Sequence, residues 1–248
     1  MKQRKPKNAQ NSTNNEYAAT AELKAGEKFL TNYNRHLIKK LTKLNKSSTN
    51  VLEFGAGIGT LAGLWELETG IQPHCLEIDP NLQSIIESRG FHCYKSLDSV
   101  KKKFDLIYSS NVLEHIEDDQ LALKKINSKL NEDGALVIYV PAFQILYSGL
   151  DEHIGHYRRY AKRDLINKLE KAGFDIAGVS YMDSIGFFAW LYTKLRGYVP
   201  SQSVDGSMRS YDRFIFPISR LLDELGFKFI FGKNLLVYAQ KSKADLDF

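Results

Sequence analysis

The stretch VLEFGAGIG, residues 51–59, joins a short apolar run to three glycines at alternate positions. Glycine adopts positive φ readily and lets a ligand approach the backbone. Gly55, Gly57 and Gly59, between an apolar strand and the helical TLAGLWELE, therefore read as a ligand-binding turn. Glu53 stands inside the strand, two residues ahead of the first glycine. A carboxylate there repels a pyrophosphate and suits an ammonium group, and the alternate-glycine spacing differs from the GxGxxG of dinucleotide turns. Further on, Glu77 ends the run HCLEI. A carboxylate at a strand tip can accept both hydroxyls of a ribose. The second concentration of chemistry is LDEHIGHYRRY, residues 150–160. It packs Asp151, Glu152, His153, His156, Arg158, Arg159 and two tyrosines together without an apolar period. His153 or His156 can take a proton near neutral pH. Arg158 and Arg159 can hold a carboxylate or phosphate. His115, in NVLEH, is a further candidate base.

The elements that must position these groups follow from periodicity and breakers. Glu16–Lys46 carries helical spacing and ends in NKSSTN. VLEF, HCLEI, FHCY, FDLIYSS and ALVIYVP read as strands. Helices are expected over TLAGLWELE, from Asp79-Pro80 to Arg89, and over Ile116–Leu130, with NEDG as the turn into the fifth strand. Strand and helix alternate at short intervals up to Pro141, the signature of a mostly parallel sheet with helices on both faces. Ligands are expected beyond the carboxyl ends of such strands. After Pro141 come the segment with LDEHIGHYRRY, a helix over Lys162–Ala172, the strand FDIAGVSYM, an apolar helix over Ile185–Arg196, a loop GYVPSQSVDGSMRS, a helix over Asp212–Leu225 and a terminal strand LLVYAQK. The expectation is an α/β, Rossmann-like, seven-stranded sheet in one domain over 16–248, with a helical and loop insertion around 183–232.

Composition narrows the function classes. The 248 residues are 43% hydrophobic and 25% charged, as in soluble globular proteins. The net charge of +5 falls largely to Lys2, Arg4, Lys5 and Lys7. They lie in a polar, Asn-rich tail, Met1–Asn15, expected to be disordered. The near-neutral remainder argues against a broad nucleic-acid surface. The tail has no apolar signal-peptide core. The longest apolar run, IGFFAWLY, falls short of the roughly 20 residues of a membrane span. Cys75 and Cys93 lie in strand-like surroundings without ligand spacing, which suits reduced thiols in a cytoplasmic protein.

The strand, Glu53 and the turn of Gly55, Gly57 and Gly59 resemble motif I of the class I S-adenosylmethionine (SAM)-dependent methyltransferases. The block FDLIYSSNVLEHIEDDQLALKKINSKLNEDGALVIYVP resembles the fourth-to-fifth-strand segment of the branch that includes the ubiquinone-biosynthesis O-methyltransferases. Beyond Pro141 the chain is similar to bacterial methyltransferases with a GHYRRY segment. The resemblance implies SAM as cofactor, held at Glu53, Gly55, Ala56, Gly57 and Gly59, with Glu77 and Ile78 at the ribose. Ser96 and Leu97 would lie by the adenine, and Asn111 and Val112 by the methionine moiety. Asp79 more simply begins the next helix.

SAM chemistry is an in-line displacement at an activated methyl carbon, so the protein mainly aligns a nucleophile. An oxygen nucleophile usually also needs a base. LDEHIGHYRRY follows the fifth strand at the same end of the sheet and is expected to roof the site. His156 is then the preferred base and His115 the second catalytic candidate. Tyr147, His153, Tyr157 and Arg158 are the expected substrate contacts. The opposite reading pairs these charges with the following helix. Glu114 and His115 with one histidine of the roof resemble part of the metal set of RNA 3′-terminal 2′-O-methyltransferases, but Asn111 stands where a ligand carboxylate belongs, and no metal is assigned. A catalytically inactive SAM-binding module is the rival outside enzymes. The expected acceptor is a small molecule or a glycan or lipid intermediate. The apolar helix over Ile185–Arg196 allows core packing or peripheral membrane contact with Lys194 and Arg196 at the rim.

Overall fold

The computed structural model describes residues 20–44, 48–196 and 204–243. The expected disordered tail, Met1–Asn15, lies outside them. Seven strands form one sheet: β1 (Val51–Phe54), β2 (His74–Leu76), β3 (Cys93–Tyr94), β4 (Phe104–Ser110), β5 (Leu130–Pro141), β6 (Phe174–Met182) and β7 (Asn234–Lys241). Their spatial order is β3-β2-β1-β4-β5-β7-β6. Pairings from β3 through β5 are parallel, and β7 runs antiparallel to both β5 and β6. The mostly parallel sheet expected from strand–helix alternation is present.

β1 is buried at all four positions and β5 from Gly134 onward, as a sheet covered on both faces requires. Period-two alternation divides the residues between two cores. Leu52, Ile107, Leu136, Ile138 and Val140 join one cluster, and Val51, Leu106, Val137 and Tyr139 join the other. The helices are α1 (residues 20–29), α2 (Thr31–Leu41), α3 (Thr60–Thr69), α4 (Pro80–Ser88), α5 (Asp119–Ser128), α6 (Gly149–His153) and α7 (Lys162–Lys171). Between β6 and β7 lie α8 (Ser184–Arg196), α9 (Val204–Ser210) and α10 (Phe216–Glu224). No helix among the described residues is long and apolar enough to cross a membrane.

Several boundaries differ from the sequence expectation. The single helix over Glu16–Lys46 is broken at Leu30 into α1 and α2. The first N–H groups of α2 are satisfied from far along the chain. The Asp212 carboxylate accepts from Asn32 N at 3.0 Å and Tyr33 N at 2.8 Å, which satisfies donors that an isolated helix start leaves unpaired. The helix expected over Ile116–Leu130 is shorter, α5 starting at Asp119 where Asp118 accepts from Leu121 N, and Leu113–His115 ahead of it forms a 3₁₀ turn. NEDG is not a turn ahead of the fifth strand. It lies within β5, which begins at Leu130 and shifts register against β4 between Phe104 and Leu106. Part of the expected loop GYVPSQSVDGSMRS is the helix α9, while residues 197–203 lie outside the described ones. The helix expected over Asp212–Leu225 opens as a π turn, Tyr211–Ile215, before α10. The helix runs on from α9, so Pro217 lies inside it and has no N–H for the Arg213 carbonyl four residues back, which accounts for the wider turn there.

Candidate active site

The glycine turn crosses from β1 to α3 at the carboxyl ends of the parallel strands. Gly55, Gly57 and Gly59 all have positive φ, at 79°, 57° and 79°. A Cβ at Gly55 would overlap the Val112 isopropyl group, so this turn and the chain after β4 close on each other only through glycine. Glu53 is buried beneath the turn and accepts from the Tyr108 hydroxyl at 3.2 Å. Burial, with neighbouring Glu77, pushes its carboxyl up to about 8. Tyr108 in turn stacks on Trp65 of α3.

Glu77 follows β2 and is anchored by three backbone donors. Gly57 N donates at 2.8 Å to one oxygen, and Ile78 N and Asp79 N donate to the other at 2.8 and 3.1 Å. A carboxylate has about four lone-pair directions, so capacity remains for a ribose hydroxyl. The Ile78 side chain is 77% exposed, so only its backbone takes part here. Asp79 caps α4 by accepting from Asn81 N, as its Asp-Pro context implies. Ser96 caps a short turn, accepting from Ser99 N, with Leu97 buried behind it. Ala56 is buried in the turn. Asn111 takes φ of 53° just past β4 and accepts from Asn234 Nδ2 at 3.2 Å. These residues fit SAM: a buried carboxylate, a side-chain-free cradle and an acidic strand tip converge on one end of the sheet.

The segment 150–160 divides in two. Asp151 is fully buried and accepts from Arg159 Nε at 2.8 Å, from Ser148, and contacts His156 Nδ1 at 2.8 Å. Burial would raise its carboxyl, but the His156 and Arg159 contacts prevail and hold it at about 2. Arg159 also lies 4.5 Å over the Trp190 ring. Arg158 pairs with Asp119 at 2.8 Å and donates to the Glu117 carbonyl, so in this structure its guanidinium is engaged with α5 and the turn before it. Tyr160 donates to the same Asp119. Tyr147 donates to the His156 carbonyl at 2.7 Å, Tyr157 is 53% exposed, and His153 is exposed on α6. Both arginines are thus paired, but with α5 and α6 and not with the following helix α7.

His156 takes the other course. Its Nδ1 is held by Asp151, and its Nε2 lies 3.8 Å from Glu114. Its ring meets His115 edge-on at 4.6 Å. Glu114, His115 and His156 thus offer three donor atoms within 4.8 Å of one another. Glu114 is fully buried, and neither carboxylate oxygen has a hydrogen-bond partner. Burial pushes its carboxyl up to about 8. Burial and the adjacent His156 lower the His115 pKa to about 4, against the opposing effect of a hydrogen bond to the Gly155 backbone.

A third group has no counterpart in the sequence expectation. Asp183, at φ 69° after β6, is fully buried and accepts from Tyr211 and Ser219. Lys233 Nζ lies 3.7 Å from Asp183 and over the rings of Tyr33 and Trp190. Tyr33 meets the Tyr139 hydroxyl at the end of β5. Asp183 Oδ2, Asn234 Oδ1 and Trp190 Nε1 are buried without hydrogen-bond partners. Through Asn234 this cluster reaches Asn111. A signal existed in the sequence, since Asp183 and Lys233-Asn234 flank the last two strands at the ends facing the glycine turn.

Comparison with known proteins agrees with this geometry. Residues 27–178 match a family model described as a methyltransferase domain. No curated protein matches the chain. Among solved structures, the complex of the Haloferax volcanii Trm112 methyltransferase activator with a methyltransferase is similar at 14% identity and TM-score 0.63, over 92% of this chain and 97% of that one. A SAM-dependent methyltransferase from Archaeoglobus fulgidus is similar at 22% identity and TM-score 0.54, over 84% and 94%. A Haemonchus contortus phosphoethanolamine N-methyltransferase is similar at 18% and 0.62, over 91% of this chain and 58% of that one. At these identities the structural likeness speaks for the fold alone, and the family match carries the rest. Its span, the glycine turn and the sheet order converge: the chain belongs to the methyltransferase-domain family and is a SAM-dependent methyltransferase of class I fold.

Proposed function

We propose that the protein methylates an oxygen of a small-molecule or glycan/lipid intermediate, with His156 as general base and His115 beside it. The observation that carries this reading is the Asp151–His156 contact, which fixes the ring through Nδ1 and leaves Nε2 directed at Glu114 and His115. When bound, SAM supplies the activated methyl carbon. His156 Nε2 takes the acceptor proton as the oxygen–methyl bond forms and the methyl–sulfur bond breaks. Glu53 would hold the ammonium end, Glu77 the ribose, and Asn111 and Val112 the methionine moiety. The polar wall of Asp183, Lys233 and Asn234 orients the acceptor, since the Asp183 and Asn234 oxygens and the nearby Trp190 N–H lack hydrogen-bond partners and match a polar group. Tyr147, Tyr157, His153 and Arg158 stand at the rim. The test follows labelled methyl from SAM into small-molecule and lipid extracts. His156→Ala should lower transfer by about 10² to 10⁴ while S-adenosylhomocysteine affinity stays within a few fold. Loss of affinity and melting temperature together would assign His156 to packing instead.

A second reading, metal-assisted 2′-O-methylation of RNA, is favoured by the unpartnered Glu114 carboxylate beside two imidazoles. That donor set suits Zn²⁺ or Mn²⁺ better than Mg²⁺, which prefers oxygen. Under the first reading, dialysis against EDTA leaves transfer unchanged. Loss restored by Mn²⁺, with label entering RNA, would establish the second.

A further inference from the structure

The helices between β6 and β7 are apolar on the side that faces solvent. In α10 the buried positions include Ser219 and Asp223, whose side chains bond to Asp183, Ser184 and Ile185. The outward stripe is Phe214, Ile218, Leu221 and Leu225, at 63, 54, 56 and 70% exposure. Their spacing of four, three and four residues puts them on one helical face. An ordinary surface helix has the reverse arrangement. α8 carries a parallel stripe of Phe188, Tyr192 and Leu195, again at i, i+4 and i+7 and exposed. The turn after α10 adds Phe227, Phe229 and Ile230. Phe231 joins these pieces, with its ring 5.4 Å from Phe188 and 5.7 Å from Phe227. Apolar patches on monomers seldom exceed ~300–600 Å² without a function, and two stripes and a turn need a cover.

The charges say what covers them. Arg196 ends α8, Arg213 precedes Phe214, and Arg220 and Lys228 flank the α10 stripe, while Lys194 donates to the Ile145 carbonyl and Arg209 lies over the Phe29 ring. Among the described side chains of these elements, the exposed acid is Glu224, beside Arg220. Arg196 lies against the Tyr192 ring and donates to its hydroxyl, an aromatic–cation pair of the kind found at lipid headgroups. Since no helix among the described residues is long and apolar enough to span, the fit is to an interface and not a bilayer core.

We propose that the outward face of α8, α10 and the turn 225–230 docks on an anionic bilayer surface. The claim concerns binding and holds whichever acceptor is methylated. The test is flotation of the full chain with phosphatidylcholine vesicles, alone or containing about a third phosphatidylglycerol. Binding is expected to the anionic vesicles, weakening as salt is raised. The triple variant Leu221→Ser, Leu225→Ser, Phe229→Ser should lose at least tenfold in vesicle affinity, with S-adenosylhomocysteine binding and melting temperature unchanged. Arg213→Glu with Lys228→Glu should abolish the preference for anionic lipid. Absence of binding, or binding that survives the triple variant, overturns the proposal. So does a dimer that the triple variant dissociates while vesicles go unbound, since a second copy would then be the cover. S-adenosylhomocysteine binding, read in the same samples, separates failure of the membrane claim from failure of the methyltransferase reading.

Discussion

Glu53 is the residue where burial and function meet most directly. Its carboxyl is buried and raised to about 8, against 4.5 for the ordinary group, so the unliganded protein holds it protonated at pH 7. Between those values the folded state keeps a proton that the unfolded state has released. That contribution to stability is full below about 4.5 and is lost as pH rises through 8. A cofactor ammonium placed against Glu53 favours the carboxylate and expels the proton. S-adenosylhomocysteine affinity should therefore climb between pH 6 and 8, by at most about tenfold per unit, and level off above. Glu53→Gln should bind more weakly and flatten that climb. Calorimetry across pH 6 to 9 reads both, and a pH-independent affinity in the unmodified protein would remove Glu53 from the ammonium site.

Among the elements, α1 has a part that its sequence does not announce. Leu23 lies over Gly57, and Glu27 reaches Thr60 at 3.2 Å and Arg89 by two bonds of 2.6 and 2.9 Å. The helix is thereby pinned across the glycine turn by the start of α3 and the end of α4. The Glu27–Arg89 pair is about a third exposed, and such pairs are typically worth ~0–1 kcal/mol. Arg89→Ala should weaken S-adenosylhomocysteine binding by no more than about fivefold, chiefly through faster release. The melting temperature should stay within about 2 °C. Stopped-flow displacement measures the release rate, and an unchanged rate would mean that α1 does not cover the cofactor.

At the scale of the molecule, the proposed cofactor site draws on β1, β2, β4 and the helices around them, so occupancy should report on the whole fold. Ligand at 100 times its dissociation constant stabilises a protein by about 2.7 kcal/mol. For a chain of this size that corresponds to a rise of about 5–10 °C in melting temperature. S-adenosylhomocysteine should produce it and NAD should not, because the alternate-glycine turn lacks the GxGxxG spacing of dinucleotide turns. A shift with NAD alone would contradict the cofactor assignment. The same end of the sheet also carries the polar residues proposed to orient the acceptor, Asp183 just after β6 and Lys233-Asn234 at the start of β7, with Tyr33 of α2 and Trp190 of α8 against Lys233.

The local patterns in this chain were enough for the parallel sheet and for SAM as the cofactor. Alternate glycines after a buried strand, a carboxylate within it and another at the next strand tip depend on positions close in sequence, and the parallel sheet follows from strand–helix alternation. Other features required long-range contact. Asp212 caps α2 across about 180 residues, and Lys233 meets Tyr33 across a similar distance. In LDEHIGHYRRY the residue types were legible, but their division was not. Arg159 and Arg158 turn to Asp151 and Asp119, while His156 shares Asp151 through Nδ1 and leaves its Nε2 toward Glu114. A charged side chain settles with whichever opposite charge the fold brings near, since leaving it buried and unpaired is costly. Spacing along the chain determines which groups are available, and only the tertiary structure decides which of them are spent on each other.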